Sequence, residues 1–267
     1  MITNIINNKS TKLFIFLGGF FIANAFIAEV IGVKIFSLES TLGISPLKIP
    51  LFGNEFSFSL TAGVLLWPVV FIMTDIINEY YGERGVKFLS YLTVGLLAYA
   101  FFMYYVAIQL VPADWWIGSK SPQGVPNMQS AYAQIFGQGI AIILGSLVAF
   151  LIGQVVDVII FHKIKKWSGE KYIWLRATGS TLVSQFIDSF VVLMIAFYLY
   201  PKYISEANGP AWAFATVMSI CVGNYIYKFT VAVVLTPVIY IVHNWIDKYL
   251  GHTLAAEMKK AALKDEN

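Results

Sequence analysis

The chain has 267 residues, of which 58% are hydrophobic and 12% are charged, about half the charge of an ordinary soluble domain. Apolar segments repeat along the whole length, which favours one integral membrane domain over a soluble domain on an anchor. The net charge of +3 sits in short loops and reports topology rather than nucleic-acid binding, and the one cysteine, Cys221, cannot form an internal disulfide.

Lys9 and Lys12 precede an apolar run over residues 13–36, the first predicted transmembrane helix. Ala23-Asn24-Ala25 would suit a signal-peptide cleavage site, but apolar character continues to Phe36, for the roughly 20 residues a spanning helix needs. Asn24 lies near mid-helix and is a cavity-lining candidate, whereas Glu29 and Lys34 are expected at the outer end, in solvent. Residues 37–58 carry Gly43, Pro46, Pro50 and Gly53 between short alternating runs, as a small extracytoplasmic hairpin would.

The second span is predicted over residues 59–80, with Pro68 as a kink. The third covers residues 86–110, and Trp115-Trp116 beyond it read as part of an interfacial belt. The fourth, residues 132–161, carries Gly137, Gly139, Gly145 and Gly153, which permit close helix contact. The most basic segment, residues 162–176, reads as a loop before a fifth span at 177–200 and a sixth at 211–242. Residues 247–267 read as a charged tail, a surface helix or disorder.

Thirteen Lys and Arg residues fall on one side of these spans and four on the other, with Lys228 inside the sixth. The positive-inside rule then places both termini and the 162–176 loop in the cytoplasm, which requires an even number of spans. The expected architecture is an all-α membrane protein of six helices, with one transmembrane domain over 1–246 and a cytoplasmic tail over 247–267.

Polar residues recur inside the apolar runs in one pattern. Asp75-x-x-Asn78, Gln154-x-x-Asp157 and Gln185-x-x-Asp188 each set an amide and a carboxylate one helical turn apart on a common face. Glu79 extends the first of them. An intramembrane carboxylate costs upwards of about 3 kcal/mol unless it faces a cavity or a partner. Lys228 therefore calls for a carboxylate such as Asp75 or Asp188. Such groups also serve structure, by hydrogen-bonding across helices. No phosphate-binding glycine loop, His-Glu-x-x-His motif or Gly-x-Ser-x-Gly elbow occurs, and nothing calls for a metal or cofactor.

Thr74-Asp75-Ile-Ile-Asn-Glu-Tyr-Tyr-Gly82, Gly153-Gln154-Val-Val-Asp157, Ala177-Thr178-x-Ser180-Thr181 leading to Asp188, and Tyr227-Lys228 together resemble the queuosine precursor transporter family, also called the vitamin uptake transporter family. The resemblance covers residues 15–245. It implies a six-helix importer in the cytoplasmic membrane, not an enzyme, for 7-cyano- or 7-aminomethyl-7-deazaguanine. Its motif positions fall on Asp75, Gln154, Asp157, Ser180, Asp188 and Lys228, while family members differ at positions corresponding to Asn78, Glu79 and Gln185. Expected partners are the deazapurine and the bilayer, with no nucleic acid and with room for a homo-oligomer. A vitamin or nucleobase permease, and the substrate-binding subunit of an energy-coupling transporter, are the alternative readings.

Overall fold

The computed structural model describes residues 7–47, 49–51, 54–168, 172–205 and 210–264. Its principal helices are α1 (Lys9–Ile31), α2 (Trp67–Gln109), α3 (Ile140–Ser168), α4 (Ile173–Met194), α5 (Phe214–Leu250) and α6 (His252–Lys264). Helix α1 starts where the Asn8 carboxamide accepts from the Ser10 and Thr11 amides at 2.9 and 3.3 Å, filling two donors the first turn leaves unpaired.

Among the described residues, five helical stretches are long and apolar enough to cross a membrane: Lys9–Ile31, Trp67–Gln109, Met128–Ser168, Trp174–Tyr203 and Phe214–Leu250. Their cores pack against one another through Leu17, Phe21, Val70, Ile77, Phe150 and Phe161. The outward face of α2 instead exposes Phe88, Tyr91, Tyr99, Phe102 and Tyr105. An apolar exterior over a packed interior is what a lipid solvent permits.

The expected second and third spans are the two arms of α2, which meet at Gly82. Helix α2 runs for 43 residues, with non-helical backbone inside it at Gly82. Pro68 is not the kink, because it lies in the first turn, where its missing N–H costs nothing. At Gly82 the chain doubles back. The hydroxyls of Thr74 and Ser90 approach the same Gln154 oxygen at 3.0 and 3.4 Å, yet a straight helix would hold those residues about 24 Å apart.

Two further expectations change. Helix α3 continues past residue 161 to Ser168, and α4 begins at Ile173, so most of the basic segment is helical. The tail carries α6, which buries Ala255 and Ala262 against the rest of the chain. Between α1 and α2, β1 (Ile35–Ser37) pairs antiparallel with β4 (Ser59–Thr61), and β2 (Ile49–Leu51) with β3 (Asn54–Phe56). Lys48, Phe52 and the turn former Gly53, which fall within the expected hairpin, lie outside the described residues. Buried Glu39 ties this region together by accepting the Phe58 amide at 2.7 Å.

Gly82 adopts φ +68°, ψ −173°, and a Cβ there would lie 3.0 Å from the Ala262 carbonyl oxygen. Both facts require glycine. Gly82→Ala is expected to cost about 1–3 kcal/mol and to loosen α6. Thermal unfolding together with protease cleavage over residues 252–264 checks this, and a variant with unchanged stability and a protected α6 would refute it.

Candidate functional site

Helices α3 and α4 supply half of the described buried polar side chains, and their close approach depends on Gly145, where a Cβ would come 3.0 Å from the Val192 carbonyl. Polar groups run the length of the bundle in three tiers. The first surrounds a cavity of about 550 Å³, bordered by the β1–β4 end of the bundle. That volume lies within the usual range for small-molecule sites.

Asp188 and Lys228 stand in this cavity wall, paired at 2.6 Å, with Asn224 one turn before the lysine. Of the two carboxylates that could have served Lys228, the structure uses Asp188. Glu29 also lines the cavity and is only 6% exposed, so the expectation that it is solvated does not hold. The β1–β4 pair and the 138–146 segment cover the end of α1, and Gln138 donates to the Glu29 carbonyl at 3.0 Å. The wall is partly aromatic: Trp67 lines it, as do Phe197 and Trp212, which stack at 4.4 Å.

The second tier lies deeper. Asp75 accepts from Ser180 at 3.2 Å and from Thr181 at 3.0 Å. Ser184 donates to Asp157 Oδ1 at 2.9 Å. Gln154 Oε1 receives Thr74. Serines and threonines of α4 thus serve carboxylates on two other helices, a role that the three amide–carboxylate pairs did not reveal.

Several atoms of this tier lack a hydrogen-bond partner among the described residues. They are Asp157 Oδ2, Gln154 Nε2, both polar atoms of Gln185, and Ser189 Oγ. Leaving a buried polar atom unsatisfied typically costs about 1–3 kcal/mol, and each of these atoms retains the capacity for a further hydrogen bond. Ser189 belongs both to this set and to the cavity wall, and so connects the two tiers.

The third tier is ionic and sits about 18 Å further along α2 than Trp67. Arg176 reaches Glu79 through Nε at 3.1 Å and a terminal nitrogen at 2.8 Å, and Lys165 adds a contact at 3.1 Å. These side chains are at most 1% exposed. His162 approaches the Asn78 oxygen at 2.7 Å, and the Tyr80 hydroxyl donates to Asp247, which also pairs with Lys259 of α6 at 2.9 Å.

Of the candidates from sequence, only Asp188 and Lys228 line the cavity. Asp75, Gln154, Asp157, Ser180 and Gln185 form the tier beneath it, while Asn78 and Glu79 belong to the far closure. Asn24 is buried on α1, where its amide donates to the Phe20 carbonyl at 2.8 Å, and it is not part of the cavity wall. Sequence reasoning treated Lys165 and Arg176 as loop charges. Their signal was proximity to Glu79 across the helix ends, which spacing alone cannot show. Among the described residues, no group of three or more His, Cys, Asp or Glu could hold a metal ion.

A helical bundle with an enterable chamber at one end, a polar interior and an ion-paired closure at the other is the architecture of a multi-pass membrane transporter. The chain belongs to the vitamin uptake transporter family, whose sequence model matches residues 61–242. It is 29% identical over 187 residues to the "Probable queuosine precursor transporter" of Bacillus subtilis (strain 168), covering 69% of this chain and 72% of that protein. A protein of the same name from Haemophilus influenzae is 28% identical over 154 residues, 57% of this chain and 59% of its own length. The "Queuosine precursor transporter" of Escherichia coli (strain K12) is 24% identical over 180 residues, 66% of this chain and 69% of its own. No solved structure matches the chain.

Proposed function

We propose that this chain imports queuosine precursors, 7-cyano-7-deazaguanine, 7-aminomethyl-7-deazaguanine or both, across the cytoplasmic membrane. The observation that carries the reading is the set of unpartnered atoms beneath the cavity. A guanine-like edge presents a ring N–H and an amino group side by side, which suit the free oxygen of Asp157, while its carbonyl suits the Gln185 or Gln154 amide. Aromatic walls at Trp67, Phe197 and Trp212 favour a flat ring. The names of the relatives point the same way.

In this reading the two arms of α2 on either side of Gly82 count as separate crossings. That makes six, with both termini and the 162–176 segment cytoplasmic. The cavity then opens outward, and the Glu79–Arg176–Lys165 cluster closes the cytoplasmic end. Transport exchanges these two conditions as helices rearrange around the central tier. The test is tRNA queuosine in a host that neither makes the precursor nor has its own importer, expressing this chain and fed each deazapurine at nanomolar concentration. Restored queuosine is expected. None, despite verified membrane insertion, would overturn the proposal.

A further inference from the structure

Among the described residues, three charged side chains line the cavity: Glu29, Asp188 and Lys228. Lys228 and Asp188 neutralise each other at 2.6 Å. Glu29 is left over. Its Oε1 has no hydrogen-bond partner and its carboxylate no cationic partner among the described residues. Asp188, the other described carboxylate of the wall, is already taken by Lys228. Glu29 is thus the acidic group of the cavity wall with no counter-ion among the described residues, and an ammonium group entering the cavity would supply one.

We infer that Glu29 is a specificity-determining residue that pairs with a cationic arm on a flat heteroaromatic ligand, so that the cavity prefers a ring bearing an ammonium group over the same ring with a neutral substituent. The ring and the arm are separately provided for. The stacked Phe197–Trp212 pair and Trp67 offer aromatic surface to a planar body. Glu29 projects from α1, on a different element from the Asp188–Lys228 pair and the unpartnered amides below, which are left to bind the polar edge of the ring. Gln138, by holding the Glu29 main-chain carbonyl at 3.0 Å, fixes the last turn of α1 from which the carboxylate reaches the cavity.

The inference rests on the proposed transport of deazaguanines, and two members of that class isolate the question. 7-Aminomethyl-7-deazaguanine carries an ammonium at neutral pH, and 7-cyano-7-deazaguanine presents the same ring with a neutral, linear group. Binding of both is measured to the purified full-length chain in lipid nanodiscs, for the parent, Glu29→Gln and Glu29→Asp. The parent is expected to prefer the aminomethyl compound. In Glu29→Gln the ratio of the two affinities should fall about tenfold to hundredfold, the size of a charge-assisted hydrogen bond. Glu29→Asp, which keeps the charge on a shorter arm, should recover part of that preference. A Glu29→Gln variant that weakens both ligands by the same factor, or neither, would overturn the inference and leave the transport proposal standing. A folded parent that binds neither compound would overturn both.

Discussion

Lys228→Met is expected to reduce uptake by about a hundredfold, the upper end for loss of a hydrogen bond to a charged group, and to lower stability at the same time. The ammonium lies 2.6 Å from Asp188 Oδ2, and both side chains are nearly buried. Removing it strands a carboxylate in the bundle, where breaking a buried pair costs about 3–5 kcal/mol. The pair borders the cavity, so the low end of that range, about 3 kcal/mol, applies. The double variant Asp188→Asn, Lys228→Met removes both charges and should regain most of the stability, because no uncompensated charge remains. It should not regain uptake, because the cavity then lacks the polar pair on its wall. Unfolding in detergent and initial uptake rates separate the two effects. Recovery of transport in the double variant would show that the pair serves folding alone.

How much of this could be read from sequence depends on which interactions are forced. An ammonium in an apolar run must find an anion, so the pairing of Lys228 was legible, including Asp188 as one of two named partners. The burial of Asp75, Gln154 and Asp157 was legible on the same ground. Their hydrogen-bond partners were not, because nothing in the spacing of Ser180, Thr181 and Ser184 says which carboxylates they meet until α4 is set against α2 and α3. Glu29 was misjudged for a related reason. Its distance from the end of an apolar run suggested solvent, whereas its environment is decided by β1, β4 and Gln138, which arrive from elsewhere in the chain.

The helical boundaries failed at one kind of place. A charge near the end of an apolar segment is compatible with a helix that stops and with a helix that continues into a protein interior. Lys165 and Arg176 fall in the second case. The second span was expected to end at residue 80, but the reversal at Gly82 depends on a backbone conformation that glycine permits without announcing.

The buried cluster at the far end supplies the second large effect. Glu79→Gln should lower stability by about 3–5 kcal/mol, towards the upper limit for a broken buried ion pair, because two cations, Lys165 and Arg176, lose their shared anion. Arg176→Met should cost less, since Glu79 keeps Lys165 at 3.1 Å and the cluster moves closer to neutrality. The order of midpoints, parent above Arg176→Met above Glu79→Gln, distinguishes a three-member network from a simple Glu79–Arg176 pair. A pair alone would make the two variants equally damaging. Thermal unfolding of all three proteins in one detergent decides it, and equal losses would remove Lys165 from the closure. If the order holds, opening this end during transport must separate an anion from two cations at once. In the proposed transport cycle, that cost would hold the far side shut until substrate binding compensates for it.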